Sequence, residues 1–222
     1  MVSTRWVLFF VAAACVSMAE TQSMSETFDG KWTGWEPLAE GHWETAATNG
    51  RPVLHLVENA EQRPPVRRPG MYILSPDGVV SNVVITSKVL TLRPPEVKNR
   101  DVCILFGYQD DTHFYYAHIS SASDDRVHNV IMRVDGDKRT RINIESMPEP
   151  LLEDGWQTVS VQHMASGEIK VWVDGKLNMT AQDTTYPSGR VGLGSFDDPA
   201  MFADFSIQPA RRFAAVVLRQ SQ

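Results

Sequence analysis

The sequence predicts an all-β fold, a two-sheet antiparallel β-sandwich, and three observations carry that prediction. Segments after residue 27 alternate apolar and polar side chains with period two, the mark of half-buried strands. Helical spacing at i, i+3, i+4, i+7 is sustained nowhere beyond the N-terminal apolar run. The 14 glycines and 13 prolines fall between the runs as turn punctuation. Short strands recurring every eight to twelve residues or so suit a sandwich or a barrel.

In chain order, the first element is expected over 26–35, carrying Phe28-Asp29-Gly30. Trp43 follows, then 53–57, where Val53, His55 and Val57 alternate with Leu54 and Leu56. Residues 61–70 hold three prolines and three arginines and read as a loop. A short strand at 71–74 and a longer one at 83–92 come next, the latter ended by Pro94-Pro95. Strands 101–108 and 113–120 are split by the polar Gln109-Asp110-Asp111-Thr112. Strands 127–134 and 140–144 are joined through Asp135-Gly136, a strong hairpin signal. The last third is the clearest: 156–163, 168–173, 176–180, 190–195 and 202–207, separated by Ser166-Gly167, Asp174-Gly175 and Ser188-Gly189.

The 222 residues suit one domain with tails. Arg5, the apolar run 6–16 and Ser17-Met18-Ala19 form a signal peptide over 1–19, with cleavage after Ala19. The rival is lipidation of Cys15 after Ala12-Ala13-Ala14. The sandwich is expected over 26–208 and a tail over 209–222. No later stretch approaches the roughly 18 apolar residues a membrane helix needs, so no span remains after cleavage. Cleavage leaves Cys103 alone, without an internal disulfide, and its apolar run marks it as a buried small hydrophobe. Twenty-one basic against 27 acidic residues give a net charge of -6 and no basic stripe, which excludes nucleic acid as partner.

Several stretches taken in order resemble the concanavalin A-like lectin/glucanase superfamily. They are Gly155-Trp156-x-x-Val159-x-Val161, then 167–176 (Gly-Glu-Ile-Lys-Val-Trp-Val-Asp-Gly-Lys), then Gly189-Arg190-Val191-Gly192-Leu193-Gly194, then Phe202-Ala203-Asp204-Phe205. The stretch 106–116, a polar turn followed by Tyr115-Tyr116, resembles bacterial laminin-G-like domains, including those named after 3-keto-disaccharide hydrolases. The resemblance covers most of 26–208. It implies a concanavalin A-like jelly roll whose concave face holds a polysaccharide or oligosaccharide. It does not fix function, because this fold hosts lectins, hydrolases, lyases and interaction modules. No cofactor is required on this reading. Related sandwiches do bind a structural calcium between first and last strands, where Asp29 and Asp204 fall. The Glu-x-Asp-x-Glu strand of family 16 glycosidases, which sets its carboxylates on one face, is absent.

The candidate site residues lie on 113–120 and 127–141. Phe114, Tyr116, His118 and Ser120 share one strand face, and His128, Val130, Met132 and Val134 share another. A hairpin between these strands brings His118 near His128 or Asn129. Tyr116, His118, His128, Asn129, Arg133 and Arg141 are thus candidate glycan contacts. Tyr116, His118 and His128 are candidate acid–base groups of a hydrolase or polysaccharide lyase. The alternatives are ordinary half-exposed sheet residues, or a structural or protein-interaction module. The tryptophans divide between core and platform: Trp156 is expected inside and Trp172 outside, with Trp32, Trp35 and Trp43 open to either. Asn178-Met179-Thr180 is a glycosylation sequon only in a host that uses it.

Overall fold

A computed structural model of the protein describes residues 23–30, 32–39, 42–57, 66–76, 78–124, 126–144 and 149–210. The expected signal peptide with Cys15, and the tail from 211 onward, lie outside the described residues. No helix occurs among the described residues.

Fifteen strands occur among them. They are β1 (Met24–Glu26), β2 (Glu36–Ala39), β3 (Trp43–Thr48), β4 (Arg51–Leu56) and β5 (Met71–Leu74). β6 (Val83–Thr91), β7 (Asp101–Asp110), β8 (His113–Ser120), β9 (Val130–Asp135) and β10 (Lys138–Arg141) follow. β11 (Gln157–His163), β12 (Glu168–Val173), β13 (Lys176–Gln182), β14 (Arg190–Ser195) and β15 (Ala200–Pro209) complete the set.

The strands form two antiparallel sheets. One runs β13-β12-β11-β6-β15-β4-β3 with β1 added on β15, and the other runs β10-β9-β8-β7-β14-β5-β2. Period-two alternation turns Val83, Ile85 and Val89 of β6 toward Ile104, Phe106 and Tyr115 of the opposite sheet. This inter-sheet core is the expected sandwich.

The seven-stranded sheet is buried on its outer face as well. There Tyr72, Leu105, Phe114, Tyr116 and Met132 form a second apolar cluster. Ring centroids of Tyr72–Phe114, Tyr108–Phe114 and Phe114–Tyr116 lie 6.1, 5.7 and 6.2 Å apart, within the range of favourable aromatic pairing. Double-sided burial explains why β7 reads as an almost unbroken apolar run. Between β7 and β5, strand β14 carries glycine where neighbours crowd in. A Cβ on Gly192 would sit 2.5 Å from the Ile73 carbonyl oxygen, and one on Gly194 would press on the Met71 carbonyl.

Several elements differ from the expectation. β2 lies at a sheet edge, where Pro37 needs no ladder partner, and four residues are too few to show a period. β9 starts at Val130 rather than at 127 because Asn129 takes a left-handed backbone, φ 53°. Trp156 is half-buried just before β11 rather than inside, while Trp172 does face outward. Trp35 and Trp43 belong to the core and supply no platform.

Candidate functional site

The outer face of the seven-stranded sheet changes character along its length. Near β5 it is the aromatic layer just described, and at the start of β7 and the end of β8 it turns polar. Alternation places Asp101, Cys103 and Leu105 on this face, with Phe114, Tyr116 and His118 beside them. The register sets Cys103 directly opposite His118. The segment after β14 carries Phe196, Asp197 and Asp198 to the same place. A cavity of about 340 Å³ opens there, with Arg67, Asp101, His118, His128, Arg139 and Phe196 in its wall.

Asp101 anchors the cavity. Its Oδ1 accepts from the Ser195 hydroxyl at 2.9 Å and the Phe196 N–H at 2.8 Å. Its own N–H donates to Asp198 Oδ2 at 3.1 Å. Burial alone would raise the Asp101 pKa, but His118 and these donors overcome it and hold the carboxyl below its usual value. Asp198 goes the other way. Burial and the Asp101 charge push it up to about 6, although Arg93 Nε lies 3.0 Å from its Oδ1.

His118 is only 4% exposed. Its Nδ1 lies 2.5 Å from the Val127 carbonyl oxygen, which can only accept, so Nδ1 carries a proton. Its Nε2 makes no hydrogen bond and faces Asp101 Oδ2 at 3.6 Å. The ring lies 4.8 Å from Phe196 and 5.5 Å from His128, centroid to centroid. His128 is held in turn by Asp124, whose Oδ2 is 2.5 Å from His128 Nδ1. Asp124 Oδ1 accepts the N–H groups of Arg126 and Val127, each at 2.7 Å. Burial raises the Asp124 pKa, and these donors with His128 together outweigh it and pull the carboxyl far below its usual value.

Two guanidinium groups lie against Phe196, Arg67 at 4.5 Å and Arg139 at 5.6 Å from the ring centroid. Arg67 is committed to Asp197 through bonds of 3.0 and 2.5 Å. Arg139 has no carboxylate partner among the described residues. Below it the Tyr116 hydroxyl is buried without a hydrogen bond of ordinary geometry. Burial drives the Tyr116 phenol far above its usual pKa, and nearby Arg139 draws it partly back.

The structure therefore brings His118 and His128 together and separates them from the other candidates. Tyr116 is fully buried beneath Phe196, centroids 5.6 Å apart, and offers no face for stacking a sugar. Asn129 is also fully buried: its Oδ1 accepts the Ser120 N–H at 2.8 Å, and its Nδ2 donates to the Ala122 carbonyl at 2.7 Å. It is a loop clamp. Arg133 shares the inner-facing side of β9 with Ile131 and pairs with Asp183 at 2.5 Å and Thr185 at 2.9 Å. Arg141 donates from Nε to Asn143 at 3.0 Å. The arginine that reaches the cavity is Arg139, in register with outer-facing Val134. Asp101, Arg67 and Asp198 were not anticipated. Asp101 had a signal, since it stands two residues before Cys103 in an alternating strand.

The residues at the expected calcium position do not fit that ion. Asp204 is flanked by Arg51 at 3.8 Å and Lys88 at 3.6 Å, and Asp29 is exposed in a bend. Two carboxylates beside two cations fall short of the six or more oxygens calcium takes. A second cavity of about 480 Å³ lies at the β12–β13 turn and includes Asp174 and Asn178. Both are committed to backbone: Asp174 Oδ1 accepts the Thr158 N–H at 2.8 Å, and Asn178 Oδ1 accepts the Val173 N–H at 3.1 Å. The sequon asparagine is thus a hairpin bracket.

No protein-family model matches the chain, and no curated protein does. Solved structures do. The carbohydrate binding module CBM66 from Bacillus subtilis superposes with a TM-score of 0.58 at 18% identity, over 79% of this chain and 96% of its own. The cellulose induced protein Cip1 gives 0.58 at 14% identity, over 85% and 98%. The exoplasmic/lumenal domain of VIP36, in a form bound to Ca2+ and Man3GlcNAc, gives 0.55 at 10% identity, over 85% and 89%. The fold is that of the concanavalin A-like lectins.

Proposed function

We propose that the protein is an exported carbohydrate-recognition domain and that the cavity at the polar end of the seven-stranded sheet holds the sugar. The observation that carries this reading is Arg139, a half-buried guanidinium with no carboxylate partner among the described residues, facing a cavity shared with His118, His128 and Asp101. Planar donors beside carboxylate and imidazole acceptors match the hydroxyl groups of a sugar, and the guanidinium suits an acidic one. The volume falls within the roughly 300–1,000 Å³ of small-molecule sites. The carbohydrate-binding module and the Man3GlcNAc-bound domain among the structural neighbours support the same reading.

A second reading is a glycan-cleaving enzyme, hydrolase or lyase. It is favoured by Asp198, whose pKa of about 6 sits beside ionised Asp101 and the free nitrogen of His118. One experiment addresses both. The full-length protein is titrated calorimetrically with neutral and uronate-bearing polysaccharides, while chromatography follows product release. Binding is expected, weakened at least about tenfold, or 1.4 kcal/mol, in Arg139→Ala. Shorter products would select the enzyme, and no binding to any glycan would overturn both readings in favour of an interaction module. Export is read from the mature N-terminus, with cleavage expected after Ala19.

A further inference from the structure

We propose that Asp101, Cys103 and His118 bind a zinc-class divalent ion, with a fourth coordination position open to the cavity above them. One potential ligand atom from each of the three residues lies within 4.8 Å of the others, and all three residues are buried. The site is the floor of the same cavity, so a bound ion would take the Asp101 and His118 acceptors otherwise open to a glycan, and a metal titration reads the ion with no glycan present.

The Val127 carbonyl fixes the tautomer of His118. Its Nδ1 proton is committed to the Val127 carbonyl, so in the neutral ring Nε2 carries a lone pair. That atom is buried and makes no hydrogen bond. Asp101 is arranged in the same way: two donors occupy Oδ1, and Oδ2 is the oxygen that faces Nε2. Two electron-rich atoms aimed at each other in a buried place repel unless a cation lies between them. A proton on Nε2 gives an ion pair and no hydrogen bond at 3.6 Å, whereas a metal ion would engage both atoms and Cys103 as well. Two ligands bound at about 2.0–2.1 Å to one tetrahedral ion stand about 3.3 Å apart, so a small inward shift satisfies both.

Cys103 supplies the third donor from directly across the strand pair. One thiolate, one imidazole and one carboxylate form a mixed set that suits zinc and does not suit calcium or magnesium, which take oxygen. A histidine ligand whose other nitrogen donates to a backbone carbonyl is oriented as zinc histidines are. The charges also close, because a thiolate and a carboxylate neutralise a divalent ion. Arg67 and Arg139 above the site then remain available to Asp197 and to ligand. Binding releases the Cys103 proton to solvent, so it is pH-dependent.

The test uses the full chain, stripped with a chelator and titrated with cobalt(II), then separately with zinc. Expected results are one ion per chain, a thiolate-to-cobalt charge-transfer band in the near ultraviolet, and visible bands of tetrahedral intensity. Zinc should displace the cobalt and raise the melting temperature. Cys103→Ser and His118→Gln should each lose the charge-transfer band or tetrahedral bands while circular dichroism still reports the sandwich. Cys15→Ser should keep both. If either buried variant fails to fold, the wild-type spectrum decides alone. Absence of a thiolate band in folded wild type, or its survival in Cys103→Ser, would overturn the proposal.

Discussion

Two buried histidines, His118 and His163, are held by opposite ring nitrogens, and the surroundings of the remaining nitrogen decide what each can do. Both are almost fully buried, at 4% and 1% exposure. Both commit one ring nitrogen to a backbone carbonyl, His118 to Val127 and His163 to Tyr186 at 2.9 Å. In both the other nitrogen has no hydrogen bond. The free nitrogen of His163 lies in the inter-sheet core, where Phe106 and Tyr115 stand 5.2 and 5.8 Å away, centroid to centroid. The free nitrogen of His118 faces a carboxylate and a thiol. Burial and a carbonyl bond fix the tautomer in each case. The neighbour of the remaining nitrogen makes one ring a packing element and the other a ligand.

The contrast can be broken on the His163 side with the largest effect. Phe106→Ala removes an aromatic wall of that pocket and should cost about 3–5 kcal/mol by chemical denaturation. It should also let the His163 pKa climb back toward its usual value, as followed by NMR titration.

Acid tests the same ring. Burial lowers its pKa from 6.5 to about 4, against a smaller opposing pull from the Tyr186 carbonyl. His163 is therefore neutral in the fold at a pH where the unfolded chain already protonates it. The stability it contributes is present above pH 6.5 and is lost as pH falls from there toward 4. A shift of that size corresponds to about 3 kcal/mol. Asp198, pushed up to about 6, titrates in the same window, so the comparison is with His163→Phe, whose stability should fall less steeply between pH 6.5 and 4. Equal slopes would show that the ring is already solvated.

The smallest effect is expected on the His118 side. Asp124→Ala removes the acceptor for three backbone N–H groups and the brace on His128, at a cost of about 1 kcal/mol. Glycan affinity should fall with it, while the acid dependence tied to His163 stays unchanged.

Much of the sandwich was legible because period-two alternation needs only neighbours along the chain. β5, β8, β12 and β14 have the bounds the sequence implies. His118 and His128 were legible as a pair for the same reason, since hairpin register is local. The rest depended on contacts that cross the chain. Asp101 meets the segment after β14 only because β14 pairs with β7, which brings together residues 94 and 95 positions apart, and Arg67 joins them because β5 pairs with the other side of β14. Tyr116 and Asn129 have the polar groups of contact residues, yet Tyr116 is covered by Phe196 on the outer sheet face and Asn129 is turned into its own loop. The apolar density of β7 hinted at that covering, since a strand solvated on one side would alternate more strongly. Arg133 and Arg139 look alike in sequence, and the register alone sends one inward to Asp183 and the other to the cavity.

The two glycines of β14 set a rule for redesign. With no room for a side chain at 192 or 194, that furrow is closed to variation, because any substituent would push β5 away from its partner. The wall above it is built otherwise: Arg67, His128 and Arg139 are side chains that line the cavity. A library seeking new ligand specificity should therefore hold the furrow constant and randomise 67, 128 and 139. Selected variants would then alter what the cavity accepts while keeping the sheet that carries it.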